Sequence, residues 1–383
     1  MNYSTIQSEL ARLGETSNLR KIPSAAAPGM VDFTSNDYLG IARRDEWQSQ
    51  FLAETPRQEL ALTSSASRLL ADNQNPYLRL ERKLELLYGR EALLFNSGYH
   101  ANTGIISALA DKRTLILADR LVHASIIDGI MLSKCDFTRF YHNDYGHLQR
   151  LIERNIDKYE TILVVVESVY SMDGDISSID SLIDIKRQYD KVMLYVDEAH
   201  AFGCMGPMGL GLCLQSADFS MVDVVVGTFG KAAASQGAFA IVNSDLKQYL
   251  INKARSFIFS TAIPPISASW TSFVVDKIVD MDAERAHLAS LAQRMKSGFG
   301  SLAADSKFAQ GSATAIQPFV IGNSSDTLRL SALLADEGVK VLPIRTPTVP
   351  PGTERLRFSL SAALTEADVD LALRSLKNKF EKL

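Results

Sequence analysis

VMLYVDEAHAFG, residues 192–203, opens with five apolar residues and turns polar at Asp197 and His200. An unbroken apolar run of this length predicts a strand covered on both faces, as inside a parallel sheet. Similar runs recur on either side: ALLF (92–95), LILAD (115–119), ILVVVES (162–168), VDVVVGTFG (222–230) and AFAIVN (238–243). Helical spacings lie between them, in YLRLERKLELLYG (77–89), HASIIDGIMLS (123–133) and SSIDSLIDIKRQYD (177–190). Gly89 is a natural C-cap for the first of these. Strands alternating with helices predict an α/β domain with a mostly parallel sheet.

The two ends of the chain follow another pattern. Residues 3–19 read as a helix and VDFT (31–34) as a short strand. Beyond Lys277 a long helical stretch precedes the strand-like AIQPFVIG (315–322), the helical DTLRLSALLADEG (326–338), and the strand-like VKVLPI (339–344) and RLRFSLSA (355–362). A last helix is expected from Thr365, where TEAD approaches a capping box with Asp in place of Glu. The expected organisation is an N-terminal segment (1–40), a large α/β domain (41–276) and a smaller α+β domain (277–383). The N-terminal segment is a candidate to pack with the smaller domain.

Composition narrows the function. With 383 residues and 46% hydrophobic content, the chain can bury a large core. A net charge of −4 argues against a nucleic-acid grip, which shows as a basic excess. No run is long enough to span a membrane. The N-terminus lacks the apolar core of a signal peptide. Cys135, Cys204 and Cys213 show no C-x-x-C spacing, so neither a disulfide framework nor a metal site is expected. Free thiols fit a cytoplasmic protein.

The letters D-E-A-H (197–200) and Gly230-Lys231 suggest a nucleotide-driven motor, and the spacing excludes one. A phosphate loop needs a glycine five residues before Gly230, and that residue is Val225. It also needs a hydroxyl after the lysine, and that residue is Ala232. The Gly-Lys pair, moreover, follows the acidic box instead of preceding it.

The same residues suit a different phosphate. In open α/β sheets, ligands sit beyond the carboxyl ends of the strands. Alone, Asp197 reads as a helix cap, His200 as a local hydrogen-bonding group and Lys231 as a solvated charge. At successive strand ends they fit pyridoxal phosphate. A carboxylate keeps the pyridine nitrogen protonated, and a lysine forms the Schiff base.

With these residues in view, the chain resembles the α-oxoamine synthases, which are fold-type-I pyridoxal-phosphate transferases related to aspartate aminotransferase. The resemblance runs from SNDYLG (35–40) to RLRFSLSA (355–362). It includes FNSGYHAN (95–102), ADRLVHASIIDG (118–129), ESVYSMDGD (167–175), VDEAHAFG (196–203), GTFGKA (227–232) and FSTAIPP (259–265). It implies a large, mostly parallel sheet of the seven-stranded type.

The resemblance also implies roles. Lys231 is the Schiff-base lysine, Asp197 the partner of the ring nitrogen, and His200 that of the ring hydroxyl. His123 stacks on the ring, Ser171 is a second contact to the ring oxygen, and Glu167 is an acid nearby. Ser97, Gly98 and Tyr99 open a helix suited to an anion, and with Thr228 they face the phosphate. Ser260 and Thr261 reach the phosphate of a neighbouring subunit, which implies a homodimer with sites at the interface. Asn36, Arg345 and Arg357 contact substrate, the arginines through carboxylates.

The implied reaction joins an amino acid to an acyl thioester, of coenzyme A or a carrier protein, with loss of CO2. The segments SNDYLG, FYHNDYGHLQRLI and RTPTVPPGTERLRFSLSAALTEADVD look most like the member that uses alanine and a pimeloyl donor. Members that take glycine or serine with other acyl groups are the alternatives. An aminotransferase and a non-catalytic synthase subunit stand further off, the latter because it would lack Lys231. Two departures bear on the acyl side. Thr63, Ser65 and Ala66 stand where the family has glycines, with Asp72 at another such position, and Gln236 lies in a segment of small residues.

Overall fold

The computed structural model describes residues 2–20, 22, 29–302 and 310–380. They form two compact units. The larger holds residues 39–170 and 176–285, and the smaller draws on 1–38, 171–175 and 286–383.

The larger unit is built on a seven-stranded sheet. Its strands are β1 (Glu91–Phe95), β2 (Thr114–Asp119), β3 (Asp136–Phe140), β4 (Thr161–Glu167), β5 (Val192–Asp197), β6 (Val224–Thr228) and β7 (Ala238–Val242). Their order across the sheet is β1-β7-β6-β5-β4-β2-β3. Neighbours run parallel except β7, which opposes both β1 and β6. The apolar runs Val164–Val166 and Val224–Val226 are fully buried in its middle, as strands covered on both faces must be.

Two helices at the carboxyl ends of β1 and β2 position the site. Gly98–Leu109 and Ala124–Ser133 bury Ile105, Ile106, Ile126 and Ile130 in one core with Leu163, Val165 and Val224. Gly129 sets their separation. A Cβ there would stand 2.9 Å from the Asn102 carbonyl oxygen and 3.1 Å from Ile106 Cβ, so only glycine lets the helices approach this closely.

Strand β3 was not expected from the sequence. Four of its five residues, DFTRF, are exposed. It pairs only with β2 at the sheet edge, where the apolar signal of a buried strand is absent. The helix expected at 77–89 spans Asn75–Tyr88 and ends on Gly89 at φ 65°, the left-handed cap that glycine adopts freely. Ser65, at a family glycine position, keeps a left-handed backbone at φ 53°, as Thr63 Oγ1 accepts from its N–H at 3.0 Å.

In the smaller unit, Val31–Asp32 pairs in parallel with Val339–Lys340. Leu342–Ile344, Arg355–Ser359 and Ile316–Val320 form an antiparallel sheet in that order. The run VKVLPI therefore splits at Val341 between two sheets. Phe299, Phe319 and Phe358 pack edge-on or tilted in the core. The final helix, Glu366–Phe380, starts with a reciprocal box. Thr365 N donates to Asp368 Oδ2 at 2.8 Å, and Asp368 N donates to Thr365 Oγ1 at 3.2 Å.

Candidate active site

Three neighbouring strands end in polar residues at one sheet edge: Glu167 on β4, Asp197 on β5 and Thr228 on β6. Glu167 and Asp197 are register partners. With Gly98, Tyr99, Asn102, His123, Ser125, His200 and Lys231 they line a cavity of about 170 Å³ in the larger unit. Residues from five separate chain segments thus converge where an α/β sheet binds ligands.

Lys231 Nζ lies 2.7 Å from His200 Nε2. Asp197 is buried, and both its oxygens are held. Oδ1 accepts from Ala199 N at 2.8 Å, and Oδ2 from Asn102 Nδ2 at 2.7 Å. His123 caps the helix Ala124–Ser133, its Nδ1 accepting from Ser125 N at 3.2 Å. That bond aims its ring at the cavity, and burial lowers its pKa, which favours the neutral imidazole. The His123 backbone N–H donates to Glu167 Oε1. Glu167 is 3% exposed, and burial followed by the charge of Asp197 drives its pKa well above the ordinary carboxylate value. Glu167 therefore keeps its proton, which avoids a second buried charge at the sheet end.

At the opposite side, Ser97 caps the helix Gly98–Leu109 by accepting from His100 N at 3.2 Å. Thr228 Oγ1 donates to Gly237 O at 3.1 Å. A Cβ on Gly98 would stand 3.8 Å from Thr228 Oγ1, so the missing side chain leaves open the gap between helix end and hydroxyl. Ser260 and Thr261 do not line this cavity. Asn96 Nδ2 donates to Ser260 Oγ at 2.8 Å and to the Thr261 carbonyl, and Thr261 bridges to Ser67.

The remaining expected residues belong to the smaller unit. Arg357 is 4% exposed. Its Nε donates to Ser171 O at 2.6 Å, its Nη1 to Ser359 Oγ at 2.6 Å, and both Nη groups to Asn36 Oδ1 at 3.4 Å. Ser171 thus meets Arg357 through its backbone. Arg345 donates to Ser17 O and lines a second cavity, of about 470 Å³, with Arg20, Thr346 and Thr348. Burial, and then the charge of Arg20, lower its pKa.

Three polar residues here escaped the sequence reading. Asn102 is an isolated amide inside an apolar helix. Arg20 sits in a polar segment with no periodic signal. Glu198 follows Asp197 directly, yet its carboxyl points away from the cavity, Oε1 accepting from Leu212 N at 2.6 Å and Cys213 N at 3.1 Å. Its Oε2 is buried beside the Ser168 and Cys213 side chains, and burial pushes the carboxyl up to about 7.

The donor set fits pyridoxal phosphate. One primary amine, two imidazoles and a carboxylate held by two N–H donors surround the cavity, and a helix N-terminus with a hydroxyl opposite is suited to a phosphate. No helix among the described residues is long and apolar enough to cross a membrane.

The family model for aminotransferase class I and II matches residues 28–376. An 8-amino-7-oxononanoate synthase from Haemophilus ducreyi is 46% identical over 379 residues, covering 94% of this chain and 97% of the relative. A variant of serine palmitoyltransferase from S. paucimobilis, solved with bound PLP, superposes with TM-score 0.87 at 26% identity, covering 99% of this chain and 98% of that one. The 8-amino-7-oxononanoate synthase of Francisella tularensis gives TM-score 0.76 at 26% identity, covering 93% of this chain and all of that one (100%). The chain belongs to the aminotransferase class I and II family, and within it to the pyridoxal-phosphate-dependent α-oxoamine synthases.

Proposed function

We propose that this chain condenses L-alanine with a pimeloyl thioester, giving 8-amino-7-oxononanoate, CO2 and the free thiol, a step of biotin synthesis. The carrying observation is Lys231 Nζ placed 2.7 Å from His200 Nε2 in one cavity with Asp197, in a chain 46% identical to a relative named for that product. Structural likeness is higher to serine palmitoyltransferase, with TM-score 0.87 against 0.76. Sequence identity is the better guide to substrate, because the backbone is common to the family while pocket side chains differ between its members.

Pyridoxal phosphate, when bound, supplies an electron sink for the negative charge that develops at the amino acid's α-carbon. Asp197 would hold the ring nitrogen and keep it protonated. His200 would hold the ring oxygen, with Ser171 as the second contact, and His123 would pack on the ring. Ser97, the amides of Gly98 and Tyr99, and the Thr228 hydroxyl face the phosphate. Lys231 Nζ holds the cofactor, then takes the α-proton and returns one after CO2 has left. Glu167, protonated, donates near the ring without adding charge. Arg357 and Arg345, with Asn36, are the proposed ligands of substrate carboxylates.

The acyl carrier in this reading is coenzyme A or a carrier protein. The enzyme works in the cytoplasm as a homodimer whose Ser260 and Thr261 serve the neighbouring subunit's phosphate. The large domain is assigned to 41–276 and the small one to 277–383, with 1–40 as the entry segment.

A thiol-release assay tests the substrate assignment. Alanine, glycine and serine are each paired with pimeloyl, acetyl, succinyl and palmitoyl thioesters. Alanine with the pimeloyl thioester is expected to give the highest kcat/KM. Release from glycine with a short acyl donor, and none from alanine with pimeloyl, refutes the assignment.

A further inference from the structure

Asp197 has two oxygens, and each takes one donor. The first bond, from Ala199 N, belongs to the turn after β5 and exists whatever the surrounding side chains are. The second comes from Asn102, a side chain on another element, 1% exposed and saturated. Asn102 Nδ2 gives one proton to Asp197 Oδ2 at 2.7 Å and one to Ser125 Oγ at 2.9 Å. Its Oδ1 accepts from the Tyr195 hydroxyl at 2.6 Å.

This arrangement has one working orientation. Turning the amide over would set a carbonyl oxygen against the Asp197 carboxylate and would take away the acceptor that the Tyr195 hydroxyl now uses. Tyr195 donates to that oxygen. It is fully buried, and burial followed by the Asp197 charge raises its pKa well above 10, so it keeps its proton. Tyr195 and Asp197 lie two residues apart on β5 and so share a face of the sheet. The chain of donors runs Tyr195 O–H to Asn102 Oδ1, then Asn102 N–H to Asp197 Oδ2. Tyr99 on the helix after β1, Glu167 on β4, His123 before its helix, and His200 and Lys231 in the loops after β5 and β6 are the other titratable groups lining the cavity.

We propose that Asn102, oriented by Tyr195, is a positioning residue that fixes the Asp197 carboxylate toward the cavity and stabilises its ionised form, thereby setting how strongly the ring nitrogen of pyridoxal phosphate holds its proton. The inference rests on the functional reading above and adds to it two residues that do not themselves react. Tyr195 acts only through Asn102. The two should therefore not contribute independently.

The test uses apoprotein, pyridoxal phosphate as the probe, and Asn102→Ala, Tyr195→Phe and the double variant. The measurements are the dissociation constant for pyridoxal phosphate and the visible absorbance of the bound cofactor across pH. Losing a hydrogen bond to a charged group predicts a dissociation constant about tenfold higher for Asn102→Ala, with an altered visible spectrum. Tyr195→Phe, which removes one oxygen and keeps the ring packing, predicts about threefold. The double variant should match Asn102→Ala alone, because the second change acts on a bond already gone. Multiplied effects in the double variant overturn the relay. A folded Tyr195→Phe or Asn102→Ala protein that binds within twofold of wild type, with an unchanged spectrum, overturns the positioning role. A wild-type chain that takes up no pyridoxal phosphate overturns the functional reading and this inference together, whereas normal uptake by all variants overturns only the inference.

Discussion

Replacing Glu198 by glutamine should remove a specific pH dependence of stability. Glu198 Oε1 accepts two backbone N–H bonds, which the glutamine oxygen retains. The glutamine NH2 takes the place of the buried Oε2, beside the Ser168 and Cys213 side chains. The carboxyl rises from an ordinary 4.5 to about 7 in the folded chain. Between those values the folded state holds a proton that the unfolded state has released. The stabilisation is complete below about pH 4.5 and is lost as pH rises through about 7. At about 1.4 kcal/mol per pH unit, the loss amounts to about 3 kcal/mol. Both tryptophans, Trp47 and Trp270, lie in the larger unit with Glu198, so their fluorescence in urea titrations follows the unfolding of that unit. All other groups titrate alike in the two proteins, and the difference between them isolates Glu198. Wild type should lose stability relative to Glu198→Gln by about 2.5 kcal/mol from pH 5 to pH 8. Parallel curves, with a difference constant to about 0.5 kcal/mol, would refute the argument that this carboxyl is neutral because it is buried.

Two further outcomes are expected. Arg357→Lys keeps a charge but loses the planar fork, so KM for the amino acid should rise about tenfold with a smaller change in kcat, measured by thiol release; an unchanged KM removes Arg357 from the substrate's contacts. Gly174 sits at φ 67°, and a Cβ there would stand 2.5 Å from Ile316 O. Gly174→Ala should thus destabilise the smaller unit by about 3 kcal/mol, from left-handed strain plus overpacking, and a melting temperature within a degree of wild type would contradict that.

The chemistry of the strand ends was legible because each of its residues follows an apolar run. Asp197 closes VMLYV, and Thr228 and Lys231 follow VVV. The helix cap at Gly89 and the box at Thr365 were legible from local chemistry alone. Strand β3 was not, since an edge strand exposes most of its side chains and carries no burial signal. The reversed direction of β7 was hidden as well, because AFAIV reads the same in either sense. Asn102 stayed invisible for a different reason. Its meaning lies in three partners, 23, 93 and 95 residues away in the chain, and no pattern around GYHAN announces them.

The discontinuity of the smaller unit has a consequence for biosynthesis. Every residue lining the Lys231 cavity lies between Gly98 and Lys231, whereas the smaller unit needs segments from both ends of the chain. On the ribosome, the sheet that frames the cavity is complete once Val242 has emerged. The strand Val31–Asp32, made early, must then wait for Val339 before it can pair. N-terminal residues are thus held without their sheet partner through some three hundred residues of synthesis, while the larger unit folds in the middle of the chain.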